Sequence, residues 1–176
     1  MGIALTKEKN YDKLLSLIIS ISMDITSSDA ATLYMYENNA LHFKIMKNNS
    51  LNINSDNPDQ FLLPPVPLND QNVCSFSAIS RSLINIPDVY NCKGFDFSGP
   101  QKYDKITGYH TKSMLVVPLE NHENEIIGVL QLINALDENG NIISFSSDKE
   151  HIAMSIASQA AISVSNMKYT QEVKSM

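Results

Sequence analysis

An antiparallel sheet with helices packed on it, the α+β class, is what this sequence predicts, on three observations. Two nearly unbroken apolar runs, SMLVVPLE (113–120) and EIIGVLQLINAL (125–136), flank a short polar turn, the mark of adjacent central strands covered on both faces. Amphipathic helical segments bracket the chain, at 9–27 and at 148–172. Between them, strand-like segments outnumber helix-like ones. The 176 residues suit one ordinary domain, and a composition 43% hydrophobic and 18% charged suits a globular core.

The elements follow in order. Over 9–27, Leu14, Leu15, Ile18, Ile21 (or Ser22) and Ile25 recur at helical spacing, and Ser27-Ser28-Asp29 stops the helix. Residues 31–37, ATLYMYE, are rich in β-favouring types. Glu37-Asn38-Asn39-Ala40 is a tight turn, because asparagine tolerates positive φ. Residues 41–47 alternate, with Leu41, Phe43 and Ile45 expected on one face of a hairpin. Residues 48–72 form a long Asn/Asp/Pro-rich loop in which Pro64-Pro65-Val66-Pro67 is extended. A short helix fits 73–82, with Val73, Phe76 and Ile79 inward, followed by a short strand at Leu83–Ile86 that Pro87-Asp88 ends. A second irregular stretch, 91–112, carries three glycines and the rings of Phe95, Phe97, Tyr103 and Tyr109. Pro118, inside the first apolar strand, calls for a bulge or an outward-facing position. Ser147-Asp148-Lys149-Glu150 reads as a capping box opening the last helix.

That last helix has two adjacent apolar stripes, Ile152, Ile156, Ala160, Ser163 and Ala153, Ala157, Ala161, Val164, Met167. One broad core face and a core face plus a dimer seam fit this pattern equally.

Composition excludes several functions. A net charge of -6 without a Lys/Arg cluster argues against nucleic acid and anionic lipid as partners. The longest apolar stretch, Leu14–Met23, is about half of what a spanning helix needs, and the start lacks a signal-peptide layout, so a cytoplasmic location is expected. Cys74 and Cys92 have no CxxC spacing and read as two reduced thiols, with a redox or attachment role left open. His42, His110, His122 and His151 are scattered without ligand spacing, so no metal is expected. There is no phosphate-binding glycine loop, no GxSxG and no nucleophile set, so no catalytic residue is nominated.

What remains is FDFSGPQKYDKITGYHT (95–111), which gathers rings, hydroxyls and a carboxylate. Its rings can stack on a planar ligand, Thr107 and Thr111 can donate or accept, and Asp104 can accept from a ring N–H. An Ω-type loop packed by its own aromatics explains the same residues equally well.

From about residue 11 to 168 the chain resembles the GAF family, through LINIPDVYN (83–91), GFDFSG (94–99), YDKITGYHTKSMLVVPLENHENEIIGVLQLINA (103–135) and FSSDKEHIAMSIASQAA (145–161). These segments look most like bacterial GAF domains joined to HD-GYP cyclic-di-GMP phosphodiesterases, adenylate cyclases or sensor kinases, and more loosely like those of cyclic-nucleotide phosphodiesterases. The resemblance implies a central antiparallel sheet of five to six strands, N- and C-terminal helices on one face and a ligand pocket on the other. It implies a homodimer through residues 9–27 and 148–172 that drives an output domain, with 9–172 as one domain, 1–8 as an extension and 173–176 starting a linker. In cyclic-nucleotide-binding members an Asp-x-x-Thr-x-x-x-Thr run contacts the ligand, here Asp104, Thr107 and Thr111. Backbone matching Val73, Cys74 and Ser75 and a first-strand hydroxyl, here Thr32, line the same pocket. Phe95, Tyr109 and Gln131 complete the candidate site. The family's Phe-Asp pair is replaced by Met46-Lys47, a pocket glutamate by Gln131, and the aspartate of its Asn-Lys…Phe-x-x-x-Asp signature by Lys149. No Cys-His pair offers bilin attachment, and haem would have only an unpaired histidine such as His110.

Three functions follow as expectations. The first is a sensory module for a cyclic nucleotide or another small planar ligand, signalling through its end helices. The second is a ligand-free dimerisation scaffold. The third is an enzyme like the methionine-sulfoxide reductases of this fold, which Cys74 and Cys92 do not obviously match.

Overall fold

The computed structural model describes residues 9–55 and 65–175, with Ser55 and 168–175 as backbone. The expected extension 1–8, Pro64 and the final linker residue Met176 lie outside the described residues.

Helix α1 (Tyr11–Thr26) starts where the Asn10 side chain accepts a 3.0 Å hydrogen bond from Lys13 N and stops where Ser27 turns left-handed at φ 55°. Leu14, Leu15, Ile18, Ile19, Ser22, Met23 and Thr26 are its buried positions, whereas Ile21 and Ile25 are half-exposed. Ser22 rather than Ile21 therefore carries the inner stripe. It can be buried because its hydroxyl donates back to the Ile18 carbonyl, as Thr26 donates to Ser22 O at 2.6 Å.

Strands β1 (Ser28–Glu37) and β2 (Ala40–Asn48) form the expected hairpin, with Asn38 and Asn39 both at positive φ. The register slips between Leu33↔Ile45 and Tyr34↔Phe43, leaving Lys44 as a bulge. The bulge corrects the expected alternation: Leu41 and Phe43 lie in one core cluster and Ile45 in the other, across the sheet. The long loop contains two short strands, β3 (Ile53–Ser55) and β4 (Val66–Pro67), both paired with β2.

Helix α2 (Val73–Ser80) buries Val73, Cys74, Ser75, Ser77 and Ala78. Ile79, expected inward, is 52% exposed, because the helix rests on the sheet along its 74–78 side. Strand β5 (Ile84–Ile86) and a short 3-10 turn (Val89–Asn91) lead to a helix absent from the sequence reading, α3 (Ser98–Thr107). Its N-cap is Phe97, and Asp96 just before it accepts from Ser98 N at 2.9 Å; Pro100 sits in its first turn, and Gly108 ends it at φ 78°.

Strands β6 (Met114–Glu120) and β7 (Ile126–Leu136) are the predicted central pair. The β5 ladder ends at Val116, two residues before Pro118, and the bulge falls just beyond it, between Leu119 and Glu120. A two-residue strand, β8 (Ile142–Ile143), precedes helix α4 (Ser147–Ser175). Its cap is Ser146, not Ser147: Ser146 Oγ accepts from Lys149 N at 3.3 Å, and Glu150 reaches Asn85 Nδ2 at 2.7 Å rather than folding back.

Among the described residues all pairings are antiparallel, and the sheet has eight strands with the main path β3-β2-β1-β7-β6-β5. Alternation along β1 sends Ala31, Leu33 and Met35 to a core under α1 and α4, and Ala30 and Tyr34 to a second core under α2 and α3. The strands pass so closely at Gly128 that a side chain there would strike the Tyr34 carbonyl. Ala153, Ile156, Ala157, Ala160, Ala161 and Val164 are all within 2% of full burial. Both stripes of α4 thus serve its own domain as one broad core face. No helix among the described residues is long and apolar enough to cross a membrane.

Candidate ligand site

On the sheet face away from α1 and α4, a cavity of about 40 Å³ is lined by Ala30, Thr32, Tyr34, Met46, Asn48, Gln131 and Ile133, with Tyr103 completing it. The first seven come from β1, β2 and β7 and form a floor, while Tyr103 comes from α3 and roofs it. Thr32 is the direct neighbour of Gln131 on one side and of Met46 on the other. The expected hollow beneath 94–111 is thus present but far below ligand size, with room for about one water.

The floor carries polar groups with little to bind. Thr32, Tyr34 and Gln131 are 3%, 8% and 8% exposed. Gln131 Nε2 lies 3.2 Å from the Met114 sulfur, a weak acceptor. Burial, and then the nearby Cys74, push the Tyr34 phenol well above its ordinary range.

The roof is held tightly. Tyr103 O–H accepts from Asn48 Nδ2 at 3.2 Å, and its ring meets that of Tyr109 edge to face at 6.3 Å. Asp104 accepts from Tyr90 O–H at 2.6 Å, from Thr111 N at 2.9 Å and from Thr111 Oγ1 at 2.7 Å. Thr107 Oγ1 donates to Tyr103 O at 2.8 Å and accepts from Tyr109 N at 3.2 Å. Asp104, Thr107 and Thr111 therefore brace the lid from within instead of facing the cavity. Tyr109 O–H donates to Asp29 Oδ2 at 2.6 Å, where Ser50 Oγ also donates at 2.6 Å. Burial, then its bond to Asp29, raises the Tyr109 phenol.

Asn134 ties lid to sheet. Fully buried and left-handed at φ 58°, it donates to Tyr109 O–H at 2.9 Å and His110 O at 2.8 Å, and accepts from Lys112 N at 2.7 Å and Ser113 N at 3.1 Å. Lys149, at the family's aspartate position, donates from Nζ to Thr26 O at 2.6 Å and so joins the start of α4 to the end of α1. Burial lowers its pKa.

The other nominated residues stand aside from the cavity. Cys74 and Ser75 offer backbone N–H groups that already donate to Asn72 Oδ1, at 2.9 and 3.2 Å. With Val73 they open α2, and burial pushes the Cys74 thiol up to about 12. Phe95 is half-buried between the rings of Phe76, at 5.5 Å, and Phe97, at 6.2 Å. Of the nominated set, Thr32 and Gln131 line the cavity. Strand alternation could have added Tyr34, two residues from Thr32 on the same face. Nothing local marks Asn48, which reaches the cavity through the β1–β2 hairpin, while Tyr103, one of the rings of the 95–111 stretch, reaches it on the unforeseen helix α3. A larger open groove of about 870 Å³, at the junction of α1, β1 and the start of α4, is lined by Asp24, Lys47, Asp137 and Lys149 among others. Among the described residues no His/Cys/Asp/Glu group could hold a metal ion.

Comparisons with known proteins agree with this architecture. A 94-residue stretch is 35% identical to the dual 3',5'-cyclic-AMP and -GMP phosphodiesterase 11A of Takifugu rubripes, covering 53% of this chain and 10% of that protein. The chain thus spans about a tenth of that relative's length. The GAF domain of a phosphoenolpyruvate-protein phosphotransferase from Coxiella burnetii superposes with a TM-score of 0.73 at 12% identity, over 97% of this chain and 91% of that one. The free methionine-R-sulfoxide reductase of Neisseria meningitidis superposes with a TM-score of 0.69 at 12% identity, over 96% and 86%. These two likenesses show the fold alone. The GAF domain family itself matches residues 10–164, nearly the whole chain, and to that family the chain belongs.

Proposed function

We propose that this chain is the small-molecule sensor of a bacterial cytoplasmic signalling protein, captured with its pocket closed. GAF domains are sensory and regulatory modules of signalling proteins. One observation carries the reading: the Thr32 and Tyr34 side chains and the Gln131 amide line a small cavity on this face, and the Gln131 amide donates only to the Met114 sulfur. Apolar residues would serve a purely structural floor equally well. A ligand entering as α3 swings away would satisfy these groups and shift the population toward the open lid.

The change reaches the helices through Tyr109 and Asp29, three residues from the Thr26 carbonyl that Lys149 holds. Residues 9–172 act as one domain, which pairs with a second copy through the outward sides of α1 and α4 and passes the signal to an output domain beyond. Catalysis is not part of this reading, because a buried thiol with a raised pKa gives no thiolate at Cys74 for sulfoxide chemistry. Metabolite screening by thermal shift and native mass spectrometry tests the proposal. A bound compound should lose at least tenfold in affinity in Thr32→Val and Gln131→Leu. If no compound binds, the reading fails.

A ligand-free scaffold is the second reading, and the mutual satisfaction of Asp104, Thr111, Tyr90, Tyr109 and Asp29 favours it. It requires a dimer: sedimentation should show one, and Ile21→Glu on the half-exposed side of α1 should split it.

A further inference from the structure

The charge pattern around the roofed cavity goes further than its shape. Resting on the sensor reading above, we infer that the site takes an uncharged ring-bearing molecule, for which the Tyr103 phenol is the built-in stand-in, and that it rejects phosphate-bearing ligands, cyclic nucleotides included.

Three observations carry this. First, no Lys, Arg, Asp or Glu lines the cavity: its walls are the apolar Ala30, Met46 and Ile133 and the neutral Thr32, Tyr34, Asn48 and Gln131. The raised Tyr34 phenol stays protonated at neutral pH. Second, the backbone donors at the start of α2 stand aside from the cavity and are already spent, since Cys74 N and Ser75 N both donate to their own cap, Asn72. Third, the charges that do stand inside the lid are negative: Asp104 and Asp29 are 8% and 7% exposed, whereas Lys102 and Lys105 of α3 point to solvent. A phosphate in the cavity would lose its water and gain no counter-charge, with the nearest buried charges in the lid network both negative.

Tyr103 shows what the floor accepts. A planar ring closes the cavity against Ala30, Met46 and Ile133, and a single neutral oxygen reads the Asn48 amide at 3.2 Å. A ligand of this chemistry would repeat the Asn48 contact and add hydrogen bonds to Thr32, Tyr34 and Gln131, which Tyr103 does not make.

A matched pair of probes isolates charge from shape: p-cresol, the tyrosine side chain as a free molecule, and its phosphate ester, p-tolyl phosphate. Each is titrated into the wild type and Tyr103→Ala by calorimetry and thermal shift, alongside cyclic AMP and cyclic GMP. p-Cresol should bind Tyr103→Ala at least tenfold tighter than the wild type, where it must displace the resident ring. p-Tolyl phosphate and both cyclic nucleotides should bind neither protein. Binding of any phosphate compound as tightly as p-cresol overturns the charge inference and leaves the sensor reading standing. Failure of every probe, p-cresol included, to bind a variant whose circular dichroism is native overturns both. Tyr103→Val, which keeps an apolar side chain on α3, replaces the alanine variant if that one does not fold, with the same ordering required.

Discussion

The two faces of one sheet are built by different means. Under α1 and α4 the contacts are aliphatic and closed: Leu33, Leu115, Leu119, Leu130 and Leu132 are fully buried, and small alanines let α4 lie close. Under α2 and α3 the face is a mixture of rings, amides and carboxylates, with a small cavity at its centre. Hydrophobic burial is strong and indifferent to direction, so the helix face sets stability. Hydrogen bonds contribute little net but are costly when broken, so the lid face sets geometry.

Mutations should separate the faces. Leu132→Ala, under the helices, should cost about 2–5 kcal/mol in urea unfolding, because a well-packed site cannot collapse on the void. Asn134→Ala strips the lid anchor of four hydrogen bonds and should cost about 1–3 kcal/mol, with proteolysis appearing first near 109–113. A loss as large as that of Leu132→Ala would mean that the lid is core.

Tyr109→Phe breaks a bond to a carboxylate that Ser50 still holds, and should cost about 1.5 kcal/mol or less while loosening α3 more than the whole. Thr32→Val removes a hydroxyl that stabilises nothing in the closed state, so unfolding should change by less than about 0.5 kcal/mol or improve slightly. A large loss there would contradict a functional role for that hydroxyl.

Alkaline pH adds a sharper contrast. Cys74, Tyr34, Tyr103 and Tyr109 all have folded-state pKa values raised by burial, and all four belong to the lid face. A raised acid favours the protonated native state. Its contribution is complete below the unfolded pKa, near 9 for the thiol and 10 for the phenols, and is lost as pH rises beyond. Stability should therefore fall above about pH 9. Tyr109→Phe should blunt that fall, and a thiol reagent at pH 8 should modify Cys92 well before Cys74, which unfolding-free kinetics would show.

Much of the helix face was legible in the sequence, because aliphatic periodicity reports burial directly: Leu14, Leu15 and Ile18 and the runs 113–120 and 125–136 read correctly. The lid face was less legible. Helix α3 hid behind Gly99 and Pro100, since a glycine and a proline together read as a breaker although proline is tolerated in a first turn. The Lys44 bulge reversed the facing of Ile45, and one inserted residue leaves no trace in composition. Asp104, Thr107 and Thr111 are named by the family's ligand-contacting run, yet spacing alone could not say whether they face a ligand or the lid's own groups. Asn134 drew notice through the family signature, but its four bonds join residues whose proximity depends on the β6–β7 register.

Native-state hydrogen exchange compares the faces most directly. If the lid is a hinged roof over a spare floor, amides of 98–113 should exchange through openings that cost well below the global unfolding free energy, while those of α1, β1 and β7 exchange only with global unfolding. Exchange of both sets at the same free energy would show a permanent plug and contradict the account.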